Sequence, residues 1–148
     1  MEYKSRISYL RDQISKTEID TLFISNKDNI RYYSGFTGTF AFLLISESKA
    51  IIITDSRYTL RAEEESPDYE IYKLKSGDNW IENSTNLAKT KIIGYEGDYV
   101  SVNLLNQLQK KAEKINKWKD FSEKITLGRI IKSDKETEIL QKTINISD

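Results

Sequence analysis

Two apolar runs, Phe40 to Ser46 (FAFLLIS) and Ala50 to Thr54 (AIIIT), are separated only by Glu47-Ser48-Lys49. Both are short and rich in β-branched or aromatic side chains, which marks them as buried strands. A polar spacer this short joins antiparallel neighbours, because a parallel pair needs a crossover of about a dozen residues or more. The chain therefore contains a hairpin. Elsewhere strand-like runs alternate with helical periodicity, the pattern of parallel pairing with helices packed on a sheet. A hairpin set inside that alternation predicts an α/β fold with a mixed sheet flanked by helices, not a purely parallel one.

The other elements follow from spacing. Tyr3, Ile7, Leu10 and Ile14 recur at helical intervals between charges. Thr21 to Ser25 (TLFIS) reads as a buried strand, and Asn26 to Ser34 as a short helix or turn. Asp55 follows a strand and is placed to cap the helix of SRYTLRAEEES, which Pro67 ends. Tyr69 to Leu74 alternates as a strand. Asp78 is placed to cap a helix carrying Trp80, Ile81, Leu87 and Ala88. KIIGY (91–95) is a short strand, and Ser101 caps a helix bearing Leu104, Leu108, Ala112 and Ile115. Asn116 to Asp120 forms a last edge strand. Near the end, Ser133-Asp134-Lys135-Glu136 fits a capping box, and Ile139, Leu140 and Ile144 start an apolar face. That face is barely built when the chain stops at Asp148, so a following segment is expected.

At 148 residues the chain is sized for one domain with a sizeable core. It has neither cysteine nor histidine. Disulfides, thiol nucleophiles, serine or cysteine triads and nearly all transition-metal sites are thereby excluded from it. Its 23 basic and 23 acidic residues balance, which argues against a nucleic-acid partner. The opening MEYKSRISYLRDQ lacks the apolar segment of a signal peptide, and the longest apolar run, AFLLI, is far too short to cross a bilayer. A cytoplasmic protein with no membrane partner is expected. The glycosylation-like triplets at Asn83 and Asn145 are then chance matches.

Candidate sites are few. Glu63, Glu64 and Glu65 point in different directions on a helix and read as a solvated end. Glu96 and Asp98 flank Gly97 after a strand; without a third ligand a turn is the better reading than a cation site. Lys110, Lys111, Lys114, Lys117 and Lys119 beside Trp118 are diluted by Glu113, Asp120 and Glu123, and read as a solvated helix followed by a guarded edge strand. NIRYYSGFTGTFAFLLI (29–45) poses the sharper question. Gly35 and Gly38 stand among Tyr32, Tyr33, Phe36 and Phe40, and the stretch lacks the lysine and spacing of phosphate loops. It is either a packing corner or a loop presented to something.

NIRYYSGFTG (29–38), the hairpin, TDSRY (54–58), IGYE (93–96) and GRIIKSDKETEI (128–139) come in an order that resembles the N-terminal domain of the creatinase, prolidase and Xaa-Pro aminopeptidase family, nearest the Xaa-Pro aminopeptidase branch. The resemblance implies a ribonuclease H-like mixed sheet over residues 1–130, with 131–148 linking into the first helix of a catalytic "pita-bread" domain. That domain would hold two manganese or cobalt ions through two aspartates, a histidine and two glutamates, and would cleave before proline. The histidine-free chain would then carry no catalytic or metal-ligating residue of its own. The resemblance also implies a homodimer in which the loop Gly35, Phe36, Thr37, Gly38, Thr39 and Phe40 reaches the partner subunit's active-site mouth. Phe36 or Phe40 is expected to cover a small apolar or proline side chain, while Tyr32 and Tyr33 pack inside. Asp55, Arg57 and Tyr58 are read as a structural motif, with Arg57 bracing the loop. No carboxylate-binding arginine lies in the loop, which favours an aminopeptidase that tolerates longer peptides over a dipeptidase. Two other readings compete: a binding module on a peptidase-like scaffold, as in the large subunit of a histone chaperone, and a magnesium nuclease using Asp20, Asp55, Glu96 and Asp98.

Overall fold

A computed structural model describes residues 2–130. The elements run α1 (Glu2–Ser15), β1 (Thr21–Ile24), α2 (Lys27–Ser34), β2 (Phe42–Ser46), β3 (Ala50–Thr54), α3 (Thr59–Glu65), β4 (Glu70–Lys73), α4 (Trp80–Leu87), β5 (Ile92–Tyr95), α5 (Val102–Lys111) and β6 (Lys117–Asp120). Residues 122–130 are also helical. The six strands form one sheet in the order β4-β3-β2-β1-β5-β6. β1, β2 and β3 are antiparallel to one another in turn, and the pairs β3–β4, β1–β5 and β5–β6 are parallel. The fold is the mixed α/β sheet that the hairpin demanded.

The two-residue period of the strands sorts their side chains between two cores. Leu22, Ile24, Leu43, Ile45 and Ile52 face α1, α2, α3 and the 122–130 helix, where Ile7, Leu10, Tyr33, Phe36, Ala62 and Ile125 meet them. Phe23, Leu44, Ile51, Ile53 and Ile93 face α4 and α5, meeting Ile81, Leu108 and Ala112. β1, β2 and β3 are buried on both faces, which is why they read as unbroken apolar runs rather than alternating ones. Each fully buried Leu or Ile contributes about 1.5–3 kcal/mol by area.

Several helix ends match their sequence signals. Ser101 Oγ accepts from Leu104 N at 3.0 Å, and α3 stops two residues before Pro67. Two expected caps are corrected. α4 is capped by Asn79, while Asp78 accepts from Tyr72 Oη and Asn83 Nδ2. α3 begins only at Thr59, with no side-chain cap; Asp55 lies four residues earlier and turns its carboxylate to Arg57 instead. The helix at 122–130 carries no clear periodicity in the sequence and goes unread there. The capping box at 133–136 and the apolar positions after it lie outside the described residues.

Asp120 starts the 122–130 helix. Its Oδ1 accepts from Ser122 Oγ at 2.6 Å, Ser122 N at 3.0 Å and Gly97 N at 3.0 Å. The Ser122 hydroxyl first, then the Ser122 and Gly97 amides, hold this carboxyl below its ordinary value. A depressed folded pKa means the stabilisation is complete above the unfolded value, near 3.9, and is lost as pH falls through the folded value. Asp120→Ala should therefore cost about 1 kcal/mol at pH 6. Urea unfolding of both proteins should show that difference shrinking below about pH 3.5; a difference that persists undiminished would contradict the assignment.

Candidate functional site

β1 and β5 end, and β2 begins, at the same edge of the sheet. Open α/β sheets place their crevices outside the carboxyl ends of parallel strands. A groove of about 290 Å³ lies there, between Ser25 and Lys27 after β1, Phe36 to Phe42 before and into β2, and Tyr99 and Leu104 after β5. One wall is aromatic. Phe40 meets Phe42 edge-on at 5.4 Å, and Phe42 stacks on Trp80 at 5.1 Å with the rings 4° from parallel. Phe40 is 37% exposed and Tyr99 54% exposed, large values for aromatic side chains.

The loop that forms this wall is not a glycine hinge. Gly35 is the C-cap of α2 at φ 80°, donating its N–H to the Arg31 carbonyl. The left-handed residue ends the helix and aims the chain back at the sheet. Gly38 is required for space: a Cβ there would stand 2.3 Å from Phe36 Cζ. The backbone thus folds over the Phe36 ring, which is 2% exposed and packs edge-on against Tyr58 at 5.9 Å. Phe36 is a core residue, contrary to the expectation that it covers a ligand. Tyr33 packs inside as expected and Tyr32 is half-buried.

Three ties hold the rest of the loop. Thr37 donates its N–H and hydroxyl to the Glu65 carboxylate at 3.1 and 2.7 Å. The Thr39 and Tyr58 hydroxyls are 2.5 Å apart. Thr54 Oγ1 donates to the Phe40 carbonyl at 2.6 Å. Glu65 is therefore more than a solvated helix end. Asp55 accepts from Arg57 N and Nε at 3.0 Å and from Nη2 at 2.8 Å. The Arg57 side chain, first as a hydrogen-bond donor, holds the Asp55 carboxyl below its usual range; Asp55 in turn raises Arg57. The Arg57 guanidinium lies 5.0 Å from the Tyr58 ring centroid. Asp55, Arg57 and Tyr58 thus form one surface turn that touches the loop through Tyr58 and Thr39.

Sequence reasoning left out the far wall. Tyr99 and Leu104 are separated from the loop by more than fifty residues; Leu104 is legible only as an apolar helix position, and nothing local marks Tyr99. It also missed the role of Glu96, which is 1% exposed and accepts from Ser25 N at 2.5 Å, Asn26 N at 2.8 Å and Asn29 Nδ2 at 2.6 Å. The turn after it, at 97–99, forms as expected.

Among the described residues, no three acidic or other ligating side chains gather where they could hold a metal ion. Asp20 accepts from the Lys91 and Ile92 amides, Asp55 pairs with Arg57, and Glu96 is enclosed. The cluster that a carboxylate nuclease needs does not form among these residues, and a two-metal centre does not fit them. Among them, too, no helix is long and apolar enough to cross a membrane. Lys117 and Lys119 of the edge strand pair with Glu18.

Among the described residues, this is an α/β domain with an aromatic groove at the sheet edge and a tied loop that walls it. The profile of the Creatinase/Prolidase N-terminal domain matches residues 6–131, and the chain belongs to that family. It is 28% identical to the Xaa-Pro dipeptidase of Pyrococcus horikoshii over 97% of this chain and 39% of the relative. The X-Pro aminopeptidase of Thermotoga maritima has the same fold at TM-score 0.73 and 30% identity, over 83% of this chain and 35% of that one. The N-terminal domain of the cytoplasmic peptidase PepQ of Mycobacterium tuberculosis, solved by itself, superposes at TM-score 0.75 and 28% identity, over 84% of this chain and 98% of that one. The chain spans about 40% of the length of the curated relatives it matches.

Proposed function

We propose that this chain is the non-catalytic N-terminal domain of a cytoplasmic, metal-dependent Xaa-Pro peptidase, and that it shapes dimer assembly and substrate access. The observation that carries the reading is the tied loop, which holds Phe40 half out of the sheet edge beside an apolar groove. A surface fixed in advance loses little entropy when it meets a peptide, and an aromatic face suits a proline ring. Phe40, not Phe36, is the residue that covers the substrate. The two manganese or cobalt ions would be held by the catalytic domain of the whole peptidase. The partners are that domain, a second copy of the protein and a proline-containing peptide. The relatives include both a dipeptidase and an aminopeptidase.

In the whole peptidase, Phe40→Ala is expected to raise KM for Xaa-Pro peptides several-fold with bound metal unchanged. Lost metal with unaltered kinetics would overturn the assignment. The 148-residue chain with manganese should cleave no Xaa-Pro peptide; turnover above a chelated control would refute the non-catalytic role.

A further inference from the structure

Three stretches far apart in sequence meet in one place. Asn29 opens the run NIRYY, Glu96 closes IGYE, and Arg129 follows Gly128 in GRII. Glu96 Oε1 accepts from the Ser25 and Asn26 amides, which turn the chain from β1 into α2. Its Oε2 accepts from Asn29 Nδ2 at 2.6 Å, and Asn29 Oδ1 accepts from Arg129 Nη1 at 3.0 Å. Asn29 is 2% exposed. The orientation of the amide follows from chemistry. A carboxylate only accepts and a guanidinium only donates, so Asn29 must turn its NH2 to Glu96 and its oxygen to Arg129. A buried anion and a distant cation are thus joined through an amide that can sit only one way between them.

We propose that Glu96, Asn29 and Arg129 form a polarity-fixed relay that locks the 122–130 helix to the β1–α2 corner. Ser25 and Lys27 of that corner line the groove. The 122–130 helix leads directly into residues 131–148. The relay therefore holds the 122–130 helix and the groove in one relative orientation. Glu96 and Asn29 are positioning residues: they lie outside the groove lining and act through the corner and through Arg129. The bonds are charge-assisted at both ends, and the Glu96 end is closed to water, which makes the lock stronger than a neutral contact.

Amide hydrogen exchange of the 148-residue chain tests this. Arg129→Ala should speed exchange within 122–130 at least tenfold more than within β2 and β3. Glu96→Gln keeps the shape; the two fixed amides of Ser25 and Asn26 hold its oxygen, so its NH2 is set against Asn29 Nδ2. The Asn29 amide must then turn and present its NH2 to Arg129, so the same local loosening is expected. The double variant should loosen 122–130 no further than the greater single effect, because one lock is broken once. Arg129→Lys, which keeps a donor, should restore part of the protection. If Glu96→Gln does not fold, the two Arg129 variants decide. Unchanged exchange in 122–130, an equal rise in every element, or additive effects in the double variant would each overturn the proposal.

Discussion

Phe36→Ala should destabilise the chain by about 3–5 kcal/mol, the usual cost of removing a buried phenylalanine. Phe40→Ala, four residues on, should cost about 1 kcal/mol. The two rings look equivalent in the sequence, and the difference comes from Gly38. Its missing Cβ lets the backbone close over Phe36, whose ring then touches Tyr58 and joins the core beside Ile30 and Tyr33. Truncation leaves a cavity under a backbone held by Thr37, Thr39 and Thr54, so the site collapses poorly. Phe40 keeps its edge-on contact with Phe42 and is already 37% exposed, so its truncation leaves no closed cavity. Urea or thermal unfolding checks both; the Phe36 variant should lose about 10–15 °C. Equal, small losses would mean that Phe36 is not the anchor of the loop. The contrast also guards the functional reading: an activity lost with Phe36 reports on folding, whereas one lost with Phe40 reports on the groove.

What was legible in the sequence was whatever neighbours along the chain decide. The spacing of FAFLLIS and AIIIT forces the hairpin, and the positions of Ile7, Leu10 and Ile14 force α1, because each depends on a period within one element. Asp55 shows the limit. An acidic residue between a strand and a helix is a fair cap, but Arg57 competes for the same oxygens from two residues away and wins. Glu96 shows it more sharply. Before a glycine it looks like a turn residue, and it becomes the acceptor of a buried corner only because its partners arrive from about seventy residues earlier. The groove is legible by half for the same reason: its loop is continuous, and its far wall is not. The order of the motifs carried what periodicity could not, since it encodes which distant stretches meet without saying how.

The hidden helix at 122–130 brings the second large effect. Gly128→Val is expected to cost about 3 kcal/mol, and Gly128→Ala about 1 kcal/mol. Inside an exposed helix, Gly→Ala would instead stabilise by about 1 kcal/mol. Gly128 does not adopt the left-handed backbone that Gly35 and Gly77 do, so freedom of the chain is not its purpose. Space is. A Cβ there would stand 2.2 Å from Tyr9 Cε1 and 2.5 Å from Tyr33 Oη. Tyr9 is half-buried and can swing only by breaking the bond from its hydroxyl to the Lys124 carbonyl, at 2.9 Å. Tyr33 cannot: it is fully enclosed, burial pushes its pKa far up, and its hydroxyl donates to the Ile125 carbonyl at 2.5 Å. The helix must therefore lift, which strains that bond and draws Ile125 and Phe121 from the core. A stripe of Phe121, Ile125 and Gly128 has helical spacing, yet the glycine where an apolar side chain belongs conceals it. Tyr33→Phe removes the nearer fixed atom, so Gly128→Ala should cost less in that background than in the wild type. If alanine stabilises the wild-type chain, the tyrosines are not packed against the helix at Gly128.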